Sequence, residues 1–197
     1  MSWPEPVEAT GRLTELAHAR LAAYVRTGDT VLDATAGNGH DTAFLARHAG
    51  PSGHVYAMDI QKAALESARK QSAPGTRAAG ITWIAGDHAR LIEHLPRALV
   101  GNLRAAVFNL GYLPGGDHSV TTRAPSTCAA LESALAYLAA GGVLCVTCYR
   151  GHPGGEEEYS AVLEWMKRRR HRFARAWRHI PQNRRLPPVL LIAEKQA

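Results

Sequence analysis

Residues 30–49 read TVLDATAGNGHDTAFLARHA. Thr30 to Ala34 is β-branched and apolar, which predicts a strand, and it runs straight into AGNGHD and then a helix over Asp41 to His48. Glycines between a strand and a helix let the backbone approach a ligand, and the helix N-terminus there offers unpaired N–H groups. This unit is the usual opening of a doubly wound α/β sheet, so the flanking sequence must supply alternating strands and helices.

It does so in both directions. Upstream, Thr10 to Tyr24 carries Leu13, Leu16, Ala17, Leu21 and Tyr24 at helical spacing, and Gly28 with Asp29 turns the chain. Downstream, a strand over His54 to Ile60 is followed by a helix over Lys62 to Gln71 and a strand over Ile81 to Ala85. A short helix over His88 to Leu95 and a strand over Ala105 to Leu110 come next. A helix over Thr127 to Ala139, a strand over Val143 to Tyr149 and a helix over Glu156 to Arg170 continue the alternation. Phe173 to Ile180 and Val189 to Glu194 then read as strands joined by a segment too short for a crossover helix. The expected architecture is a Rossmann-like, doubly wound sheet of seven strands that closes with an antiparallel C-terminal hairpin.

At 197 residues and 46% hydrophobic content, the chain reads as a single domain over 1–197, with residues 1–9 loosely held. No run approaches the roughly 18 apolar residues of a membrane span, and MSWPEPVEAT has neither a basic nor an apolar leader region, so a cytoplasmic protein without membrane partners is expected. Cys145 and Cys148 form a CxxC inside a strand, where alternation sends them to opposite faces, and the histidines show no HxxxH or HExxH spacing. No metal site is expected. The net charge is +6, and residues 167–185, KRRRHRFARAWRHIPQNRR, concentrate it without a single acid, which suits a polyanionic partner.

The first loop holds Asp33, Gly37, Asn38 and Gly39, with Asp41 and Thr42 opening the helix. Twenty residues past Gly39, Asp59 closes the second strand where an acid can take both hydroxyls of a ribose, and Ile60 follows it. A dinucleotide fingerprint wants a third glycine where Thr42 stands, and Asp33 would repel phosphates while welcoming a cationic amino group or a hydrogen-bonded network around one. After the third strand, Asp87 can meet an adenine amino group or simply cap a helix, and His88 would lie beside the ring. Together these residues favour S-adenosyl-L-methionine over NAD.

The fourth strand ends in FNLGYLPGGDHS, residues 108–119, on the same rim. The Asn109 carboxamide or a nearby backbone carbonyl can accept a hydrogen bond from an amine and aim its lone pair at the donor's methyl group, and Tyr112 can stack on a flipped base. Gly111 and Pro114 to Gly116 let the loop bend close. A third loop, Tyr149 to Glu156, offers His152 or Glu156 to bind substrate or take a proton.

The stretches DATAGNGHDTAFLA (33–46), FNLGYLPGGDHSVTT (108–122), YRGHPGGEEE (149–158) and PQNRRLPPVLLIAEK (181–195) are similar to those of the YtqB/MnmM-type class I methyltransferases, a family once filed as rRNA methylases. The resemblance implies S-adenosylmethionine-dependent N-methylation of a 5-aminomethyl group on tRNA wobble uridine, often the 2-thio form. The loop chemistry makes Asn109, Tyr112 and His152 the expected acceptor-side residues. Tyr112, Arg150, Arg175, Arg178, Asn183 and Arg185 would contact the anticodon stem-loop of tRNA, and homodimerisation stays open. The rivals are a methyltransferase acting on rRNA or a small-molecule amine, a NAD-dependent oxidoreductase, and a non-catalytic RNA-binding module.

Overall fold

A computed structural model describes residues 13–71, 78–182 and 185–197. The elements are α1 (Leu13–Ala22), β1 (Thr30–Asp33), α2 (His40–Ala49), β2 (His54–Asp59), α3 (Lys62–Gln71), β3 (Gly80–Ala85), α4 (Leu91–His94), β4 (Leu103–Leu110), α5 (Ala124–Tyr137), β5 (Leu138–Cys148), α6 (Gly155–Arg168), β6 (Phe173–His179) and β7 (Val189–Lys195). The strands form one seven-stranded sheet in the order β3-β2-β1-β4-β5-β7-β6. β1 to β5 are parallel, and β7 runs antiparallel to both β5 and β6.

The hairpin is therefore inserted: the chain travels to the outermost position as β6 and returns between β6 and β5 as β7. Composition explains the choice. Val189 to Ala193 is apolar on both faces and fully buried, which suits an interior strand, whereas β6, FARAWRH, alternates and exposes charge, which suits an edge.

Alternation builds a core layer on each side of the sheet. Val31, Val55, Ala105, Val107, Val143, Cys145 and Ile192 face α1 and α2, meeting Leu21, Phe44 and Leu45. Leu32, Met58, Ala106, Phe108, Leu144, Val146 and Cys148 face the other way, against Leu91 of α4, Leu131 and Leu135 of α5, and Val162 and Met166 of α6. Cys145 and Cys148 thus lie on opposite faces, and burial pushes both thiols well above the ordinary range. No described helix is long and apolar enough to cross a membrane.

Boundaries differ from the sequence expectation where turns compete with helix. The expected helix over 88–95 is a 3₁₀ turn at His88–Arg90 followed by one turn of α4, because Asp87 caps the turn through Ala89 N–H. α5 starts at Ala124, with Pro125 in its first turn, and β5 begins at Leu138, earlier than Val143. α6 stops at Arg168, and Arg170–Arg172 forms a separate 3₁₀ turn. Residues 10–12 of the expected first helix lie outside the described residues.

Strand order reverses between β1 and β4, so the loops leaving their C-terminal ends part to opposite faces and leave a crevice. Residues 34–39 and 111–122 border it.

Candidate active site

The loop after β1 is tied to the end of β2. Gly37 N–H donates to Asp59 Oδ2 at 2.8 Å, and Gln61 N–H donates to Asp59 Oδ1 at 2.9 Å. Each carboxylate oxygen keeps lone-pair capacity toward the crevice. Gly39, at φ 79°, makes the left-handed turn into α2 that leaves the first N–H groups of the helix unpaired by any side-chain cap. Ile60 beside Asp59 is 58% exposed, an apolar surface that no core residue uses.

Asp33 lies beneath this loop instead of on it. Its side chain is fully buried, takes a hydrogen bond from Thr42 Oγ1 at 2.6 Å and another from Thr35 N–H at 3.3 Å. Burial, with the charge of Asp41 nearby, raises its pKa to about 7. Direct contact of Asp33 with a ligand's amino group is therefore not available in this geometry; the buried carboxyl instead joins a hydrogen-bonded network with Thr42 and Thr35, which gives the hydroxyl standing in place of a third glycine a role. His88 is similarly turned inward. It is buried edge-on to Phe108 with ring centroids 6.3 Å apart, its Nε2 is without a partner, and burial lowers its pKa. Asp87 caps the following turn through Oδ1, accepting from Ala89 N–H at 2.9 Å, and among the described residues no hydrogen bond engages Oδ2.

Across the crevice, the backbone N–H of Asn109 donates to Thr35 Oγ1 at 2.6 Å and its Nδ2 donates to Asp41 Oδ2 at 2.6 Å. The other oxygen, Asp41 Oδ1, meets His18 Nε2 of α1 at 2.5 Å. Burial pushes the Asp41 carboxyl up, but the hydrogen bonds from His18 and Asn109 outweigh it and hold its pKa below the usual range.

The stem of the acceptor-side loop is clamped. Gly111 N–H donates to Thr122 Oγ1 at 2.8 Å, and Thr122 N–H returns to the Gly111 carbonyl at 3.0 Å. Thr122 Oγ1 in turn donates to Glu158 Oε2 at 2.8 Å, and Thr127 Oγ1 donates to Glu158 Oε1 at 2.5 Å. Glu158 is 1% exposed. Gly111, at φ 154°, passes so close to Tyr149 that a Cβ there would lie 3.3 Å from the tyrosine Cβ. Tyr112 is 39% exposed; one face carries His118 at 4.0 Å between ring centroids, and His152 approaches edge-on at 5.9 Å. Leu113 and Pro114 lie over the glycine loop, with Asn38 Nδ2 donating to the Pro114 carbonyl at 3.4 Å.

In the third loop, His152 Nδ1 lies 3.1 Å from the Pro153 carbonyl, which can only accept, so the neutral ring carries its proton on Nδ1. That leaves Nε2 as a lone-pair nitrogen, buried without a partner. Arg150 is committed: it makes a bidentate pair with Glu156 at 2.6 and 3.0 Å and lies over the Tyr159 ring.

A family model described as "Putative rRNA methylase" matches residues 55–195. The chain belongs to this rRNA methylase family. It is 39% identical over 159 residues to an Arabidopsis thaliana protein named tRNA (mnm(5)s(2)U34)-methyltransferase, chloroplastic, an alignment covering 77% of this chain and 57% of that protein. The chain thus spans little more than half of that relative's length. A crystal structure from Clostridium thermocellum, described as a "putative rRNA-methylase", superposes with TM-score 0.85 at 36% identity, covering 95% of this chain and 99% of the other. A Streptococcus mutans methyltransferase in complex with SAH superposes with TM-score 0.80 at 32% identity, covering 95% and 99%. The seven-stranded sheet with its inserted hairpin is the class I methyltransferase fold.

Within this family member, the basic segment near the C-terminus is not one strip. α6 leads from the site rim to the opposite end of the sheet, which places Lys167, Arg168 and Arg169 far from the crevice; Arg169 pairs with Glu132 and covers Trp165. Arg175 and Arg178 are three residues apart on β6 and point to opposite faces. Through the ladder, Arg175 lies level with Glu194 and Val143, well below the rim, whereas Arg178 lies level with Leu191 and Val146. Arg185 is exposed on the connection that returns to the rim, and Asn183 lies outside the described residues.

Sequence reading missed His18, Thr35, Thr122 and Glu158. Glu158 carried a signal: it shares helical spacing with Val162, Trp165 and Met166, the buried face of α6, so it could not be only a solvated acid serving the helix dipole. His18 carried none.

Proposed function

We propose that the chain is an S-adenosylmethionine-dependent N-methyltransferase acting on the 5-aminomethyl group of tRNA wobble uridine, with the 2-thio form as preferred acceptor. The carrying observation is Asn109 at the strand-order reversal, its Nδ2 engaged by Asp41 and its Oδ1 left as an acceptor. The name of the Arabidopsis relative and the SAH held by the Streptococcus mutans structure support this reading.

The crevice residues fit the donor. Asp59 would accept from the ribose hydroxyls, Asp87 Oδ2 from the adenine amino group, and Ile60 would cover the ring; the turn at Gly37 to Gly39 gives close backbone approach. When bound, S-adenosylmethionine supplies a methyl group activated by its sulfonium. Asn109 Oδ1 accepts an N–H of the substrate amine and directs the nitrogen lone pair; in-line positioning supplies most of the acceleration. An alkylamine is protonated at neutral pH and must shed a proton first; His152, edge-on to Tyr112, would take it once movement of its loop uncovers the buried Nε2. Tyr112 would stack the uracil on the face that His118 leaves open.

This reading takes residues 1–197 as one catalytic domain working in the cytoplasm, with Arg178 and Arg185 toward the anticodon stem-loop backbone. The test is to incubate the protein with methyl-labelled donor and bulk tRNA from cells lacking the enzyme, then digest and identify the labelled nucleoside. The label should appear in 5-methylaminomethyl-2-thiouridine and fall about a hundredfold with Asn109→Ala, leaving a measurable remainder. If no tRNA nucleoside gains a methyl group, the proposal fails.

A further inference from the structure

We infer that Asp41, steadied by His18, is a positioning residue that sets which end of the Asn109 carboxamide faces the acceptor. This inference rests on the amine-methyltransferase reading above and deepens it. A carboxamide can turn over by rotating half a turn about χ2, exchanging a carbonyl for an amino group at nearly unchanged shape. Only the carbonyl can receive the N–H of an amine; the amino group would meet it donor to donor. Something must therefore distinguish the two orientations.

Asp41 provides the distinction. A carboxylate is acceptor-only, so Asp41 Oδ2 at 2.6 Å from Asn109 admits the amino group and rejects the carbonyl. Its partner oxygen is occupied by His18 Nε2 at 2.5 Å, which keeps the carboxylate from swinging away. His18 is itself held, stacked on Phe44 of α2 with ring centroids 3.9 Å apart and planes within 8°. Asp41 is largely shielded, its side chain 13% exposed, so water competes little for these bonds. The backbone of Asn109 is fixed separately by Thr35, leaving side-chain rotation as the remaining freedom. Three segments far apart in sequence, α1, the start of α2 and the end of β4, thereby converge to select one orientation.

The test is a mutant cycle read on several observables. Asp41→Asn keeps the shape but can donate as well as accept, so it no longer excludes the inverted carboxamide. With saturating tRNA and donor, kcat should fall about tenfold or more, while the Kd for SAH stays within about twofold. In the Asn109→Ala background, Asp41→Asn should cause no further loss, because it acts through Asn109. The Asn109 side-chain amide resonances, assigned as those missing in Asn109→Ala, should shift in Asp41→Asn. The inference is overturned if Asp41→Asn leaves kcat unchanged, if it weakens SAH binding in proportion to the lost activity, or if it costs as much without Asn109 as with it. Should wild type methylate no tRNA amine, the functional reading fails, yet the amide resonances still report the Asp41 to Asn109 contact; an unmoved resonance rejects this inference separately.

Discussion

The reversal point between β1 and β4 and the hairpin edge at β6 and β7 share one sheet, but they hold their polar residues differently. At the reversal point, Asp33, Asp41, Asp59, Asn109, Thr122 and Glu158 are buried or half-buried, each giving or taking short hydrogen bonds. At the hairpin edge, Arg175 is 70% exposed and its carboxylate neighbour Glu194 is 3.9 Å away. A site that must place a nitrogen against a methyl group requires rigid side chains, whereas a surface that meets a phosphate backbone requires only charge in roughly the right place.

Glu158→Ala should break the first region most severely. It strands Thr122 and Thr127 in the interior, so Tm should drop by roughly 5 °C or more and methylation by about tenfold or more. Thermal melts and tRNA turnover measure the two effects, and Glu158→Gln, which preserves an acceptor oxygen, should recover part of each.

The hairpin edge should respond more gently and unevenly. Arg178→Glu with Arg185→Glu should weaken tRNA binding by about tenfold and flatten its dependence on salt. Arg175→Glu should change affinity by no more than about twofold, because its side chain leaves from the opposite face, below the rim. Filter binding at several salt concentrations distinguishes them; an equal loss from Arg175→Glu would mean that the RNA wraps the sheet edge.

The last effect is confined to one pH interval and concerns Asp33. Its folded pKa, about 7, lies above the unfolded value, so any stability due to the protonated carboxyl is complete below roughly pH 4 and disappears as pH rises through about 7. Relative to Asp33→Asn, wild type should therefore lose roughly 10 °C of Tm across that interval. A pH-independent difference would mean that Asp33 is not held neutral.

Much of the fold was legible because hydrophobic period and turn residues are local. TVLDATAGNGHD announced its strand, turn and helix, and VLLIA announced a strand buried on both faces, although nothing local said that it would be inserted beside β5. The site was legible as a set of loops but not as contacts. Asp33 and His88 looked like ligand-facing residues and instead turn into the core, since burial depends on what packs above them. Arg175 and Arg178 looked like neighbours because sequence proximity hides the two-residue period of a strand.

What the sequence determined by itself was the order of elements, the rim on which the chemistry-bearing loops gather, and the residue types available there. Those follow from backbone periodicity and glycine placement, which act over a few residues. Only the tertiary structure decided which groups meet: His18 with Asp41 across 23 residues, Asp41 with Asn109 across 68, and Thr122 with Glu158 across 36. Hydrogen bonds reach about 3 Å, so their partners are chosen by how the sheet brings distant strand ends together, not by neighbours along the chain.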